Sequence, residues 1–262
     1  MENKKALRNP FPWIGKVFKY EMKHSLRILL PVYVATVVVA LLTGLLVPLN
    51  SEGNFHFSMN FDGIESSQSG LAGFFLFLYI MIVIVSAVVS ISFIVKRFKN
   101  GLLGDEAYLN LTLPVTMGEH LWGRIAAVFV CILMYIIAMM ISFVMVGIKD
   151  VSGFINEIEF GRGFWGILLF VVTSAMCLVL FTYLINAIGH LSKKHRTLVK
   201  LAAIIIILSL TSRLMGYVDM AFLKTTDNNI GMIYLSSIQA CVLSVLYGTA
   251  TYFILKLKLN LE

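Results

Sequence analysis

Five stretches of this chain, residues 28–50, 71–95, 125–148, 164–189 and 230–255, carry no charged residue over 23 to 26 positions each. About 20 apolar residues in a helix cross the hydrocarbon core of a bilayer. In that core the backbone must satisfy its own polar groups, which a helix does within one segment. Runs of this length therefore predict membrane-spanning helices. A sixth run, 201–218, is interrupted by Arg213, whose long side chain can snorkel to water from the outer end. Charged residues make up 13% of the 262, against roughly 25% in soluble domains. The mean hydropathy is +0.88. The expected fold class is all-α: a polytopic membrane protein of six transmembrane helices, forming one domain over residues 1–262. The expected spans are about 28–50, 71–95, 121–148, 164–189, 199–218 and 230–255. Residues 28–50 exceed the apolar core of about 7–15 residues found in a secretory signal, and they are read as a true span.

Lys and Arg concentrate on the cytoplasmic side of membrane proteins. With six spans and an inside N-terminus, 17 of the 21 basic residues fall inside, leaving Lys149, Arg162, Arg213 and Lys224 outside. Eight of the 14 acids fall outside. Both termini are accordingly expected in the cytoplasm. In residues 1–27, Ile14, Val17, Phe18 and Met22 share one helical face, and Lys16, Lys19, Lys23 and Arg27 lie opposite. That division predicts an amphipathic helix in the membrane interface. Trp13, Trp122 and Trp165 fall at predicted boundaries, where an aromatic belt sits. The +7 net charge flanks apolar spans, so membrane lipid headgroups, not nucleic acid, are the expected anionic partner.

The outer loop 51–70 alternates Phe55, Phe57, Met59 and Phe61 with polar residues, a period-two pattern that suggests a short strand or hairpin. It can serve as a lid over an exit path or dip its aromatics into headgroups. Thr36, Ala40 and Gly44 recur every four residues, as do Ala240, Ser244 and Gly248. Small residues at that spacing let helices approach closely, within a subunit or across a dimer seam.

Catalytic chemistry is not legible. The five clear spans hold no ionisable group of the kind that couples transport to ions. Asn186 and Gln239, the largest polar residues in spans, are read as interhelical hydrogen bonds. "GEHLWGRI" at 118–125 has the glycine spacing of a phosphate loop but Arg124 and Ile125 where Lys and Ser/Thr are required. His190 and His195, five apart in a basic loop, do not share a helix face. Cys131, Cys177 and Cys241 lie within spans and suggest neither disulfides nor a metal cluster. No enzyme activity is expected in this chain, and no metal or cofactor site.

One cytoplasmic stretch interrupts the apolar pattern: "LLGDEAYLNLTLP", residues 102–114. Gly104 permits a turn, and Asp105 with Glu106 favour a helix N-terminus. Leu113 precedes Pro114 and is biased to extended geometry. Thr116 and Glu119 have the spacing of a capping box that restarts a helix. Tyr108, Leu109, Leu111 and Leu113 are then left on a short exposed element, as a partner surface or lying on the bilayer.

Together "RFKNGLLGDEAYLNLTLPVTMGEHLWGRIAA" (97–127) and "KYEMKHSLRILLPVY" (19–33) resemble the permease subunits of bacterial type-2 ATP-binding cassette (ABC) exporters. The resemblance covers 46 residues. It implies a bacterial plasma-membrane permease that pairs with itself or a sibling and exports substrate. It further implies a coupling helix between the second and third spans that docks on a separate ABC ATPase subunit, which binds the ATP and Mg. Residues Gly104, Asp105, Glu106, Tyr108, Leu109, Leu111 and Leu113 would be that contact. The family's re-entrant helical pair before the last span has no room in 219–229. A non-transporting scaffold or sensor, and an ATP-independent substrate-binding membrane subunit, remain as alternatives.

The basic-residue split makes the topology testable. In a Cys-free background, cysteines at Ser67 and Asn228 should react with an impermeant thiol reagent in intact cells. Cysteines at Asn110 and Ser192 should react only after permeabilisation. Labelling at Ser192 from outside would contradict six spans.

Overall fold

The computed structural model describes residues 11–46, 67–103, 117–146, 161–191, 195–223 and 229–258. Of these, 98% are helical and none is in a strand. Six helices follow in order: α1 Phe11–Leu46, α2 Ser67–Phe98, α3 Met117–Val146, α4 Arg162–His190, α5 Arg196–Leu223 and α6 Asn229–Lys258. A π-helical turn, Lys99–Leu103, extends α2. All six helices are long and apolar enough to cross a membrane, so the chain is an all-α, multi-pass membrane protein. Each helix starts before its charge-free run, because Lys, Arg, Met and Glu at the edges are good helix formers.

The N-terminal amphipathic division holds in the structure. Ile14, Val17, Phe18 and Met22 are half-buried, and Lys16, Lys19, Lys23 and Arg27 are exposed. This segment does not stop before the first span. It continues through Pro31 as one helix of 36 residues. At 1.5 Å per residue that is about 54 Å, well beyond a hydrocarbon core of about 30 Å. No helix breaker separates residues 16 and 30, and membrane helices tolerate an interior proline. The alternating aromatics of loop 51–66 lie outside the described residues, and residues 67–70 are the first turn of α2.

The described residues form two compact units. In the unit of residues 24–92 and 133–160, α1 runs antiparallel to α2 and parallel to α3. Thr43 bonds the Val39 carbonyl at 2.8 Å and reaches the Phe75 carbonyl at 3.4 Å, while Ser90 Oγ donates to Tyr33 Oη at 3.4 Å. Tyr135 donates to the Val83 carbonyl at 3.3 Å, and its ring lies 5.7 Å from that of Tyr33. What is buried here is small: Thr36, Ala40, Thr43, Ser86 and Ser142 are nearly inaccessible, while Phe74, Phe77, Ile84 and Val88 are exposed. The hydroxyls of Thr36, Ser86 and Ser142 satisfy themselves on carbonyls three or four residues back. Small groups inside and large apolar groups outside is packing for a lipid solvent.

In the unit of residues 1–23, 93–132 and 161–262, α4 packs chiefly on α6. Gly166 meets Ile233 and Tyr234, and the rings of Phe181 and Tyr247 lie 5.5 Å apart. Gly248 meets Leu180, so the residue offset stays nearly constant and the two helices run parallel. Tyr234 closes the far end on the Arg162 carbonyl at 2.9 Å. The intervening α5 is tied by polar bonds: Lys200 Nζ donates to Asn186 Oδ1 at 2.7 Å, Gln239 Nε2 donates to Asp219 Oδ1 at 2.8 Å, and the Thr211 and Tyr247 side chains are hydrogen-bonded. Its Leu201, Ile205, Ile206, Leu208 and Leu210 are all exposed.

Gly44 carries a prediction. A Cβ there would collide with the carbonyl oxygens of Met145 and Val146, both backbone atoms that cannot step aside. Gly44→Val should therefore cost about 1–3 kcal/mol by overpacking and weaken a Gly44-adjacent cysteine crosslink between α1 and α3. Gly73→Val, which meets nothing within 4 Å, should melt like wild type in detergent.

Candidate functional site

Glu21 stands on the stripe formed by Ile14, Val17 and Phe18, seven, four and three residues before it. An acid on the apolar face of a basic helix needs a reason, and the structure supplies one. Its carboxylate is buried and divided between two arginines. Arg97 Nε donates to Oε2 at 2.9 Å, and Arg124 Nε lies 3.2 Å from Oε1. Arg97 comes from the last turn of α2 and Arg124 from the second turn of α3. The Arg97 side chain keeps 31% of its surface exposed, whereas that of Arg124 keeps 6%. One anion thus ties together α1, the end of α2 and the start of α3, the two flanks of the 104–116 segment.

The surroundings fix this cluster tightly. The π-helical turn brings Gly101 under Arg124, and a Cβ at Gly101 would stand 2.8 Å from the guanidinium carbon. A larger residue there would have to push that cation aside. Phe98 stacks on Tyr183 of α4 with centroids 3.8 Å apart and planes 11° from parallel. Leu102 of the π turn and Leu121 of α3 are fully buried, and His120 is buried as well. On the other side, Gly123 lets α3 approach α1, where a Cβ would meet Val17 Cγ1 at 2.9 Å and the Ile14 carbonyl at 3.2 Å. Single-turn π segments concentrate at functional sites because they displace one residue from the helical register. Here that displacement lies one residue before the segment of interest.

The arrangement holds three helices together by charge. Two cations on one anion leave a net positive buried cluster, held by ion pairing and close glycine contacts. Among the described residues no group of three or more His, Cys, Asp or Glu could hold a metal ion.

The sequence-derived contact residues Gly104, Asp105, Glu106, Tyr108, Leu109, Leu111 and Leu113 lie outside the described residues, as does Thr116. Thr36 and Ala40 are buried on α1 in line with Gly44. On α6, Ala240, Ser244 and Gly248 are half-buried, with Gly248 3.9 Å from Leu180 Cδ1. Trp122 and Trp165 are exposed. Asn186 and Gln239 both make interhelical hydrogen bonds, to Lys200 and Asp219. Sequence reasoning counted Arg97 and Arg124 only as cytoplasmic charge and passed over Glu21. The signal was present in the position of Glu21 on the apolar stripe. No family model, curated protein or solved structure matches this chain.

Removing one partner of a buried ion cluster costs about 3–5 kcal/mol, because the survivor stays buried uncompensated. Glu21→Gln should therefore destabilise the detergent-solubilised protein most, and Arg97→Gln least, since Arg97 is the most solvated member. The double variant Glu21→Gln/Arg124→Gln should melt higher than Glu21→Gln alone. Equal melting of Glu21→Gln and wild type would show that the cluster bears no structural load.

Proposed function

We propose that this chain is the membrane-spanning permease subunit of an ATP-driven ABC exporter in the bacterial plasma membrane. It works as a pair with itself or a sibling, and segment 102–116 docks on a separate ATPase subunit that binds ATP and Mg. One observation carries the reading. The two stretches that resemble such permeases, 19–33 and 97–127, are joined through a single anion: Glu21 belongs to the first, Arg97 and Arg124 to the second.

That junction suits force transmission. A docking element is useful only if its roots are stiff, since a compliant root would absorb the partner's movement. Here both roots are held to α1 by ion pairs, and the π turn sits at one of them. Each of the three helices then runs unbroken for 30 residues or more. The energy enters from the partner's nucleotide hydrolysis, and this chain converts it to helix movement.

Docking must bury the apolar side chains of the segment, at about 1.5–3 kcal/mol per large side chain. Leu109→Asp or Leu111→Asp should weaken co-purification with the partner ATPase by roughly tenfold or more, as about 1.4 kcal/mol is a factor of ten. Membrane insertion should be unchanged. If both variants retain and stimulate the ATPase like wild type, the segment is not the coupling element.

A further inference from the structure

A second cluster, three cations around a histidine, stands apart from the Glu21 junction. Lys99 comes from the π turn, His190 from the last turn of α4, and Arg196 and Lys200 from the first turns of α5. The π turn packs on α4. Lys99, Arg196 and Lys200 stand close enough to act electrostatically on His190, and Lys99 and Arg196 on Lys200. The charges that act on His190 and Lys200 are all cations. Glu21 is committed to two arginines, Asp219 lies near the opposite end of α5, and Glu119 opens α3.

Lys200 is placed, not merely present. Its stem crosses the bare backbone of Gly189, with Cδ 3.0 Å from where a Cβ would be, and its amine is held by Asn186. The α5 N-terminus adds to the positive potential. Val199 bonds back to the His195 carbonyl at 3.1 Å, leaving the preceding amides without helical acceptors. The carbonyl end of α4 offsets part of this, but a helix terminus carries only about half a charge. Like charges gathered at one end of the helices repel each other unless an anion sits among them.

Apolar surface completes the site. Leu191, Leu198 and Leu201 flank these cations and are exposed, Leu198 to 66%. Cations at the end of an apolar span, with bare aliphatic side chains alongside, match an anionic headgroup above an acyl chain. A free soluble anion would use only the first half of that surface. We infer that Lys99, His190, Arg196 and Lys200 form a headgroup site for an anionic phospholipid, with the acyl chain lying along Leu198 and Leu201 of α5. The lipid phosphate relieves the repulsion and ties the π turn, α4 and α5 together. This site does not depend on the transporter reading, and its test needs no ATPase.

The full-length chain in detergent is titrated with phosphatidylglycerol, with phosphatidylcholine of the same acyl chains, and with inorganic phosphate. Bound lipid is read by native mass spectrometry and thermal stability by melting. Phosphatidylglycerol should bind at least about tenfold more tightly than phosphatidylcholine and raise the melting temperature. Lys99→Gln/Arg196→Gln/Lys200→Gln should abolish that preference. The charge-matched control Lys19→Gln/Lys23→Gln/Arg27→Gln, three exposed cations of α1, should keep it. Because Lys200 is also bonded to α4, the exposed pair Lys99→Gln/Arg196→Gln is tested separately and should lose about threefold or more. An equal loss in the control variant would reduce the effect to diffuse charge and overturn the site. Stabilisation by inorganic phosphate equal to that by phosphatidylglycerol would overturn the lipid assignment in favour of a soluble anion. No preference in wild type would overturn the site outright and leave the cluster to an acidic protein surface.

Discussion

A single carboxylate shared between two arginines is the constraint on which the convergence of α1, α2 and α3 at Glu21 depends. Burying any one of those three charges alone is unfavourable, since desolvation costs several kcal/mol per ion. Together they are tolerable when paired, and Glu21 gives one oxygen to each arginine, hydrogen-bonded to Arg97 and within ion-pairing distance of Arg124. The glycines at 101 and 123 follow from the same demand. One leaves space for the Arg124 guanidinium, the other lets α3 come close enough to α1 for the pairing to form.

Elsewhere the helices are held by different forces. In lipid, burying a leucine against a helix gains little over leaving it against an acyl chain, so close approach and hydroxyl bonds decide the contacts. The buried set Thr43, Ser86, Ser142, Ser237 and Thr251 reflects this. Each of these hydroxyls bonds a carbonyl of its own helix, at 2.7 to 2.8 Å. A buried polar atom is thereby satisfied without committing two helices to one register.

The helices were legible in the sequence because charge-free runs of spanning length admit no other structure. Even the span interrupted by Arg213 forms, since that side chain stays exposed near one end of α5. The ends were less legible. Residues 11–27 read as a separate interfacial helix, yet helix formers carry the chain unbroken into the span. The Glu21 junction was visible only in part. An acid on an apolar face announces a buried partner, but which of 21 basic residues answers it depends on how three helices converge. Likewise Lys200 belongs to a basic loop by sequence, and its bond to Asn186 across 14 residues is a tertiary fact. The sequence-derived docking residues 104–113 lie outside the described residues.

The attachment of α5 has a mechanical consequence. Polar ties near its opposite ends, and a third between Thr211 and Tyr247 midway, connect this helix to α4 and α6. All three spring from side chains of the rod itself, so turning it would break them together. Most of the apolar residues of α5 are exposed, and one greasy face is worth about as much as another against lipid. The orientation of α5 is therefore set by its few polar residues, a leaf hung on three pins.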